Sequence, residues 1–186
     1  MFTARQKKKE NIAEYVLYMW QIEDLIRSCN FEIDVIENSI INSFEGNEAE
    51  RVAIRNWYEK LIVSMGDERV KEKGHLEEIT YLIAELHMLH QTLINILQDP
   101  KYLQLYQEAS QSIEELKQRS NKKNTSDIEA CFNGLYGTLL LKLQKRKISN
   151  ETMKAINSIS TMMVYLSKKH KQVKAGELDF PKVMNN

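Results

Sequence analysis

Residues 75–98 read HLEEITYLIAELHMLHQTLINILQ, and their apolar side chains recur every three or four positions. This spacing places them on one stripe of an α-helix, as in the seam along which helices pack in a bundle. The seam is formed by Leu76, Ile79, Ile83, Leu86, His90, Leu93 and Leu97. The stretch predicts a long helix that ends at Asp99 and Pro100, because a residue that precedes proline disfavours helical geometry.

The same periodicity continues on both sides of this stretch, and no segment shows the alternation of a β-strand. It predicts further helices over residues 7–28, 32–44, 47–66, 100–119, 126–147 and 149–174. Since short connections make consecutive helices antiparallel neighbours, the sequence predicts an all-α, single-domain antiparallel bundle of about seven helices over residues 1–174. A loose tail would follow at residues 175–186. The four-helix core would be formed by helices 7–28, 75–98, 126–147 and 149–174.

Several helix boundaries carry recognisable local signals. Asn47 with Glu50, and Ser126 with Glu129, have the spacing of capping boxes. Asp99 can cap the helix that begins at the following proline. Gly46 suits the left-handed conformation that commonly follows a helix end.

The composition excludes several classes of protein. The chain has 186 residues, two cysteines, and 26 Lys and Arg balanced by 26 Asp and Glu. No apolar run approaches the roughly 20 residues of a membrane span, and no secretory signal stands at the amino terminus. Cys29 and Cys131 lack a paired spacing, so we expect buried thiols rather than a disulfide. These features predict a cytoplasmic protein that does not enter a membrane.

The charges are unevenly distributed along the chain. Residues 1–93 hold 11 Lys and Arg against 17 Asp and Glu, whereas residues 94–186 hold 15 against 9. The favoured interpretation is that the two halves attract each other across an internal interface. The alternative is a basic surface for polyanions or nucleic acid, with the candidates Lys117, Arg119, Lys122, Lys123, Lys168, Lys169 and Lys171. Zero net charge and the lack of a recognised nucleic-acid-binding module count against nucleic acid.

The first predicted helix is apolar on nearly every side between residues 11 and 27, NIAEYVLYMWQIEDLIR, which predicts a central position. Asn11, Glu14, Tyr18 and Gln21 form one polar stripe along it. A buried carboxylate needs a partner, so an interior Glu14 would belong either to a core network or to a binding site. The candidate ligand-binding residues are Glu14, Tyr18, Gln21, Glu23, Asp24, Arg27 and His90, and Glu23 with Arg27 also has the spacing of an ordinary helical ion pair.

No pattern for a metal or cofactor is present. His87 and His90 follow Glu85, but the Glu-x-x-His unit of di-iron bundles and the H-E-x-x-H signature are both missing. Glycine-rich phosphate loops and nucleophile elbows are missing as well. We therefore expect no metal, no cofactor and no assignable catalytic residue. Gly134 and Gly137 are expected to let a neighbouring helix approach closely.

Residues 8–27, KKENIAEYVLYMWQIEDLIR, resemble the amino-terminal signature of an uncharacterised family of small all-helical bacterial proteins, a domain of unknown function. The similarity extends over the whole chain in length and helix order. The resemblance implies a bacterial, cytoplasmic, single-domain helical protein. It supplies no catalytic or cofactor residues.

The favoured function is a non-enzymatic one, in which the bundle acts through protein–protein interaction, with a homodimer as one form. Trp57, Tyr58, Tyr102 and Tyr106 are candidate interface anchors, or else core residues. The alternative is an enzyme or small-molecule binder that uses the polar residues of helix 7–28, and the third choice is polyanion binding. A concave pocket that contains those polar residues would favour the binder, whereas a dry core with paired polar atoms would favour the scaffold.

Overall fold

The computed structural model describes residues 2–120 and 124–178, and within them it contains helices and no strand. A single turn, α3, continues directly into a π-helical segment. The helices are α1 (Phe2–Glu10), α2 (Ile12–Ser28), α3 (Ile33–Ile36) with the π-helical segment (Glu37–Ile41), α4 (Glu48–Asp67), α5 (Glu77–Asn95), α6 (Pro100–Arg119), α7 (Asp127–Leu143) and α8 (Asn150–Lys174). The predicted all-α class is confirmed.

The predicted four-helix core is also confirmed, because α2, α5, α7 and α8 contact one another in every pairwise combination. Fully buried side chains such as Ile26, Leu86, Phe132 and Ile159 fill the space between them. Helix α6 packs along α8 and also touches α5 and α7. It buries Tyr102 completely, so it is a structural neighbour of the core rather than a loosely attached surface helix.

The first two predicted helices differ from the structure. Asn11 adopts an extended backbone that divides helix 7–28 into α1 and α2, and its side chain accepts from the backbone N–H groups of Ala13 and Glu14. A short amide side chain competes for backbone groups in this way, which favours a helix cap over a helix interior. The predicted helix 32–44 is reduced to α3 and the π-helical segment. Gly46 does not adopt the left-handed conformation that was expected.

The predicted caps at Asn47, Asp99 and Ser126 are confirmed. Two helices end earlier than predicted, α5 at Asn95 rather than beside Pro100 and α7 at Leu143 rather than at residue 147. Asn47 and Glu50 form both hydrogen bonds of a capping box. The side chain of Asp99 accepts from the Tyr102 N–H at 2.9 Å. A methyl group added at Gly134 would come within 2.6 Å of Leu116 Cδ1, which confirms a close helix approach there, whereas nothing lies within 4 Å at Gly137.

Both cysteines are buried free thiols, as expected. Burial raises the pKa of the Cys131 thiol. No helix in the described part of the chain has an apolar stretch long enough to cross a lipid bilayer. Of the predicted tail, residues 179–186 lie outside the described residues.

Candidate functional site

Trp20, Glu23, Asp24 and Arg27 are three or four positions apart and lie on one face of α2. This face packs against residues 70–76, the segment that leads into α5. Glu23 lies at its centre with a side chain that is 1% exposed. Its Oε2 lies 2.6 Å from His75 Nδ1, and its Oε1 accepts from the Leu76 N–H at 3.0 Å. The Glu23 carboxylate therefore binds both Leu76, the residue that precedes α5, and His75 before it.

The beginning of α5 explains why a carboxylate can be buried here. Leu76 is the N-cap of α5 and offers no side chain to the free N–H groups of the first turn. Glu23 accepts from the N–H of this cap residue, and a negative charge near the amino end of a helix is stabilised by the helix dipole. The buried carboxylate is thus bound by the His75 ring and by a backbone donor, and it lies near the favourable end of the α5 dipole.

Aromatic rings surround this contact between Glu23 and His75. The Trp20 ring stacks on the His75 ring with 4.1 Å between centroids and 7° between planes. Tyr136 of α7 approaches Trp20 edge-on at 5.3 Å, and its hydroxyl donates to Asp24 Oδ2 at 2.6 Å. Burial, followed by the hydrogen bond to Asp24, raises the pKa of the Tyr136 hydroxyl, which keeps it a donor at neutral pH.

Arg27 fixes the backbone that carries His75. Its guanidinium donates to Asp24 Oδ1 at 2.8 Å, to the Val70 carbonyl at 3.0 Å and to the Gly74 carbonyl at 2.5 Å. Gly74 has a φ of +91°, a conformation that side-chain-bearing residues rarely adopt. We call this assembly the Trp20–His75 cluster, which consists of Trp20, Glu23, Asp24, Arg27, His75 and Tyr136.

A cleft of about 700 Å³ lies over this cluster. Its walls include Trp20 and His75, together with His87 of α5 and Asn133 of α7. Trp20 Nε1 and His87 Nδ1 are buried and have no hydrogen-bond partner within residues 2–120 and 124–178. An unsatisfied buried polar group costs about 1–3 kcal/mol, so each of these two atoms is destabilising for as long as it stays covered.

The arrangement supports proton exchange and hydrogen bonding. Because His75 engages Glu23 through Nδ1, its Nε2 is the ring nitrogen left for a ligand. A carboxylate-oriented imidazole of this kind is a usual general acid or base. No three metal-ligating side chains lie together in the described part of the chain.

A second histidine–carboxylate group lies at the other end of α5. His90 Nδ1 is 2.7 Å from the Tyr102 hydroxyl, and its Nε2 is 3.8 Å from Asp127 Oδ2. Asp127 accepts from the Tyr106 hydroxyl at 2.7 Å and from Lys117 Nζ at 2.9 Å. We call these five residues the His90–Asp127 cluster.

Burial determines the protonation of the His90–Asp127 cluster. Desolvation lowers the pKa of His90 to about 4, so its imidazole is neutral at pH 7. Burial disfavours the charge on Asp127, but the hydrogen bonds from Tyr106 and Lys117 outweigh it and hold the pKa of this carboxyl below its usual value. Burial also raises the pKa of Tyr106 to about 12.

The structure brings together only part of the predicted candidates. Glu14 is exposed and pairs with Lys7 at 2.8 Å. Tyr18 is half-buried, and the Gln21 amide donates to the carbonyl of Leu17 on its own helix. These three residues form no common site. The stripe they form with Asn11 lies beside the face of α2 that carries Trp20, Glu23, Asp24 and Arg27.

Glu23, Asp24 and Arg27 do meet, but not as an ordinary helical ion pair. Glu23 binds His75, whereas Arg27 binds Asp24. Sequence reasoning missed Trp20, His75 and Tyr136. The sequence did contain one sign of this site: residues 20, 23, 24 and 27 have helical three-four spacing, so an aromatic side chain and three charged ones share a second face of α2.

The basic candidates that the structure describes do not converge. Lys169 pairs with Asp99 at 2.7 Å, and Lys117 pairs with Asp127. Arg119 borders a cavity with Glu151 at the beginning of α8, whereas Lys168 and Lys171 lie near its end, about 25 Å away at 1.5 Å per residue. The two remaining candidates, Lys122 and Lys123, lie outside the described residues.

The proposed attraction between the two halves of the chain rests on one acidic side chain. Glu85 of α5 lies 2.5 Å from Lys174 Nζ and 3.5 Å from His170 Nε2, both on α8. His90 of the first half also lies 3.8 Å from Asp127 of the second, but that imidazole is neutral at pH 7. In residues 2–120 and 124–178, the other ion pairs given by the structure join groups of the same half.

Fold and cleft together define the class: an all-α bundle in which a buried glutamate contacts a partly exposed histidine in the wall of a surface cleft. Within that class, the model of the family Domain of unknown function (DUF4924) matches residues 1–177, and the chain belongs to this family. No curated protein and no solved structure matches the chain.

Proposed function

We propose that the protein binds a small polar molecule in the cleft over Trp20 and His75. The observation that carries this proposal is the 2.6 Å contact between a buried Glu23 and a partly exposed His75 in the cleft wall. Buried carboxylates are costly, and one that orients an accessible imidazole is typical of binding and catalytic sites. The sequence-based alternative of a small-molecule binder is thereby retained, with Glu23, Asp24 and Arg27 as supporting residues.

The unsatisfied groups indicate what the ligand offers. Trp20 Nε1 is not reached by solvent in this structure and can only donate, so a ligand whose binding uncovers this atom would offer it a hydrogen-bond acceptor such as a carbonyl or carboxylate oxygen. His75 Nε2, on a partly exposed ring, can bind a further polar group of the same molecule. The proposed activity is binding, with proton exchange at His75 as the accompanying chemistry.

Two-dimensional NMR of the indole N–H groups tests this proposal directly. The chain has two tryptophans, and only Trp20 lines this cleft, so Trp57 is an internal reference. Free amino acids, short monocarboxylates, nucleosides and sugar phosphates would be titrated one at a time. We expect one of these classes to shift the Trp20 signal while the Trp57 signal remains unchanged.

Two variants provide the controls. His75→Ala removes the cleft imidazole and is expected to abolish the shift, whereas Lys168→Gln on the exposed side of α8 is expected to preserve it. The proposal fails if none of the four classes moves the Trp20 signal. It also fails if the shift survives in His75→Ala.

Protein–protein interaction is our second proposal, and exposed apolar side chains on α5 favour it. Tyr81 is 69% exposed and Met88 is 70% exposed, and their seven-residue spacing places them on one side of the helix. Of the four aromatic anchors suggested by the sequence, Tyr58 and Tyr102 are buried and Trp57 and Tyr106 are half-buried.

Sedimentation equilibrium tests the homodimer form of this second proposal. We expect a concentration-dependent dimer that Met88→Glu weakens and Lys168→Gln does not. If the protein is monomeric at all concentrations, the homodimer form of this proposal is wrong. The bacterial and cytoplasmic setting, and the absence of nucleic acid among its partners, stay predictions.

A further inference from the structure

Two cavities share Trp57 of α4 in their walls and have no residue in common with the cleft over the Trp20–His75 cluster. The first, of about 470 Å³, is bordered by Arg5 and Lys8 of α1, Tyr15 of α2 and Lys60 of α4. The second, of about 310 Å³, is formed mainly by apolar groups between α2, the π-helical segment and α4. Since Trp57 lines both cavities, one elongated ligand could occupy them together.

The first cavity carries uncompensated positive charge. Glu78 also borders it, but this carboxylate lies 2.5 Å from Lys8 Nζ and accepts from the Tyr15 hydroxyl at 3.3 Å. Arg5 and Lys60 form no ion pair with any residue that the structure describes. Two cations without counter-charges beside a cavity favour an anionic group.

The second cavity is suited to hydrocarbon. Ile40, Ile41 and Phe44 border it on one side, and Ile54 and Tyr58 of α4 border it on the other. Ile40 and Ile41 belong to the π-helical segment, whose wide turn is a feature that often occurs at functional sites. Phe44 stays exposed at the edge, so this apolar surface is not fully covered by the protein itself.

We propose that this pair of cavities binds an anionic amphiphile, with its charged head beside Arg5 and Lys60 and its hydrocarbon chain across Trp57. The cations of the first cavity and the apolar walls of the second match the two parts of such a molecule. A medium-chain carboxylate is the simplest ligand with this chemistry. The proposal is independent of the Trp20–His75 cleft, because the two sites share no side chain in their walls.

Fluorescence with decanoate as the probe tests the proposal. In Trp20→Phe the single remaining tryptophan is Trp57, so its emission reports on these cavities alone. Decanoate, decanol and acetate would be titrated below the concentration at which decanoate forms micelles. We expect saturable decanoate binding, with decanol and acetate each at least tenfold weaker, because decanol lacks the charge and acetate lacks the chain.

Charge and chain variants separate the two parts of the site. Arg5→Gln with Lys60→Gln is expected to weaken decanoate binding by about tenfold while decanol binding stays unchanged, and Lys154→Gln with Lys168→Gln is the matched control. Phe44→Ser is expected to weaken decanoate and decanol alike. Should Trp20→Phe fail to fold, the indole NMR signal of Trp57 in the unmodified protein replaces the fluorescence.

Three results would overturn the proposal. The first is no response of Trp57 to decanoate. The second is decanol binding as tightly as decanoate, since the two cations would then have no role. The third is an equal loss of affinity in the charge variant and in its matched control.

Discussion

A histidine with a carboxylate and aromatic neighbours lies near each end of α5. The Trp20–His75 cluster buries its carboxylate, whereas the His90–Asp127 cluster buries its imidazole. In the Trp20–His75 cluster the carboxylate is 1% exposed and the imidazole is 31% exposed. In the His90–Asp127 cluster the imidazole is 1% exposed and the carboxylate is 17% exposed. The partner that reaches water decides the role, because only an accessible group can meet a ligand or exchange a proton with it.

The surroundings of each cluster agree with this distinction. His75 has one ring nitrogen engaged by Glu23 and lines a cleft. Near His90, the accessible carboxylate of Asp127 is already neutralised by Lys117 and bound by Tyr106. The first cluster therefore has the features of a binding site, and the second has those of a structural network that joins α5, α6 and α7.

The largest expected effect is on stability when the buried carboxylate is removed. Glu23→Ala leaves His75 Nδ1 and the buried Leu76 N–H without their partner, and each buried polar group left unsatisfied costs about 1–3 kcal/mol. Glu14→Ala, at an exposed position, should change stability by less than about 0.5 kcal/mol. Urea unfolding at pH 7 measures both values, and similar costs for the two variants would contradict the role of Glu23.

The next effect is the pH dependence that His90 confers. Its pKa is about 4 in the folded protein, whereas an unfolded histidine titrates near 6.5. Between these values the unfolded chain binds a proton that the folded protein does not, so stability falls as the pH decreases. The slope contributed by one such group approaches about 1.4 kcal/mol per pH unit.

The variant His90→Gln should flatten this part of the stability profile. Urea unfolding at pH 7.0, 6.0 and 5.0 provides the test, and the expected difference between the two proteins grows towards pH 5. His75→Gln is the comparison from the other cluster. An unchanged slope in His90→Gln would show that His90 is not the neutral, buried group that the structure indicates.

A smaller effect is expected from the hydroxyl that ties α7 to α2. Tyr136→Phe keeps the edge-on contact with Trp20 but removes the donor to Asp24, which should cost about 1 kcal/mol. Ligand shifts of the Trp20 indole signal should also weaken, because Asp24 helps to hold Arg27. Tyr81→Phe, on an exposed tyrosine, is the control and should change neither stability nor binding.

The smallest effect is expected at the rim of the His90–Asp127 cluster. Lys117→Gln removes an ion pair with Asp127 whose lysine is partly exposed, and such pairs contribute less than about 1 kcal/mol. Ligand binding in the cleft should remain unchanged. A loss of ligand binding would contradict the separation between a site at one end of α5 and a structural network at the other.

The sequence by itself determined the helical class and most helix boundaries. Pro100 with its cap Asp99, the Asn47–Glu50 capping box and Ser126 each act within one turn of chain, so their spacing is visible without knowledge of the fold. Apolar periodicity is equally local, and it identified the four core helices. It also concealed the break at Asn11, because the apolar pattern continues through a residue whose side chain caps α2.

Only the tertiary structure decided which polar residues meet. Glu23 and His75 are 52 positions apart, and Tyr136 reaches Asp24 across 112 positions. On α2 two polar faces were equally visible, and the sequence favoured the stripe that contains Glu14. The choice depended on which face the segment before α5 and helix α7 would cover, and such long-range packing is not encoded in the spacing of residues along a single helix.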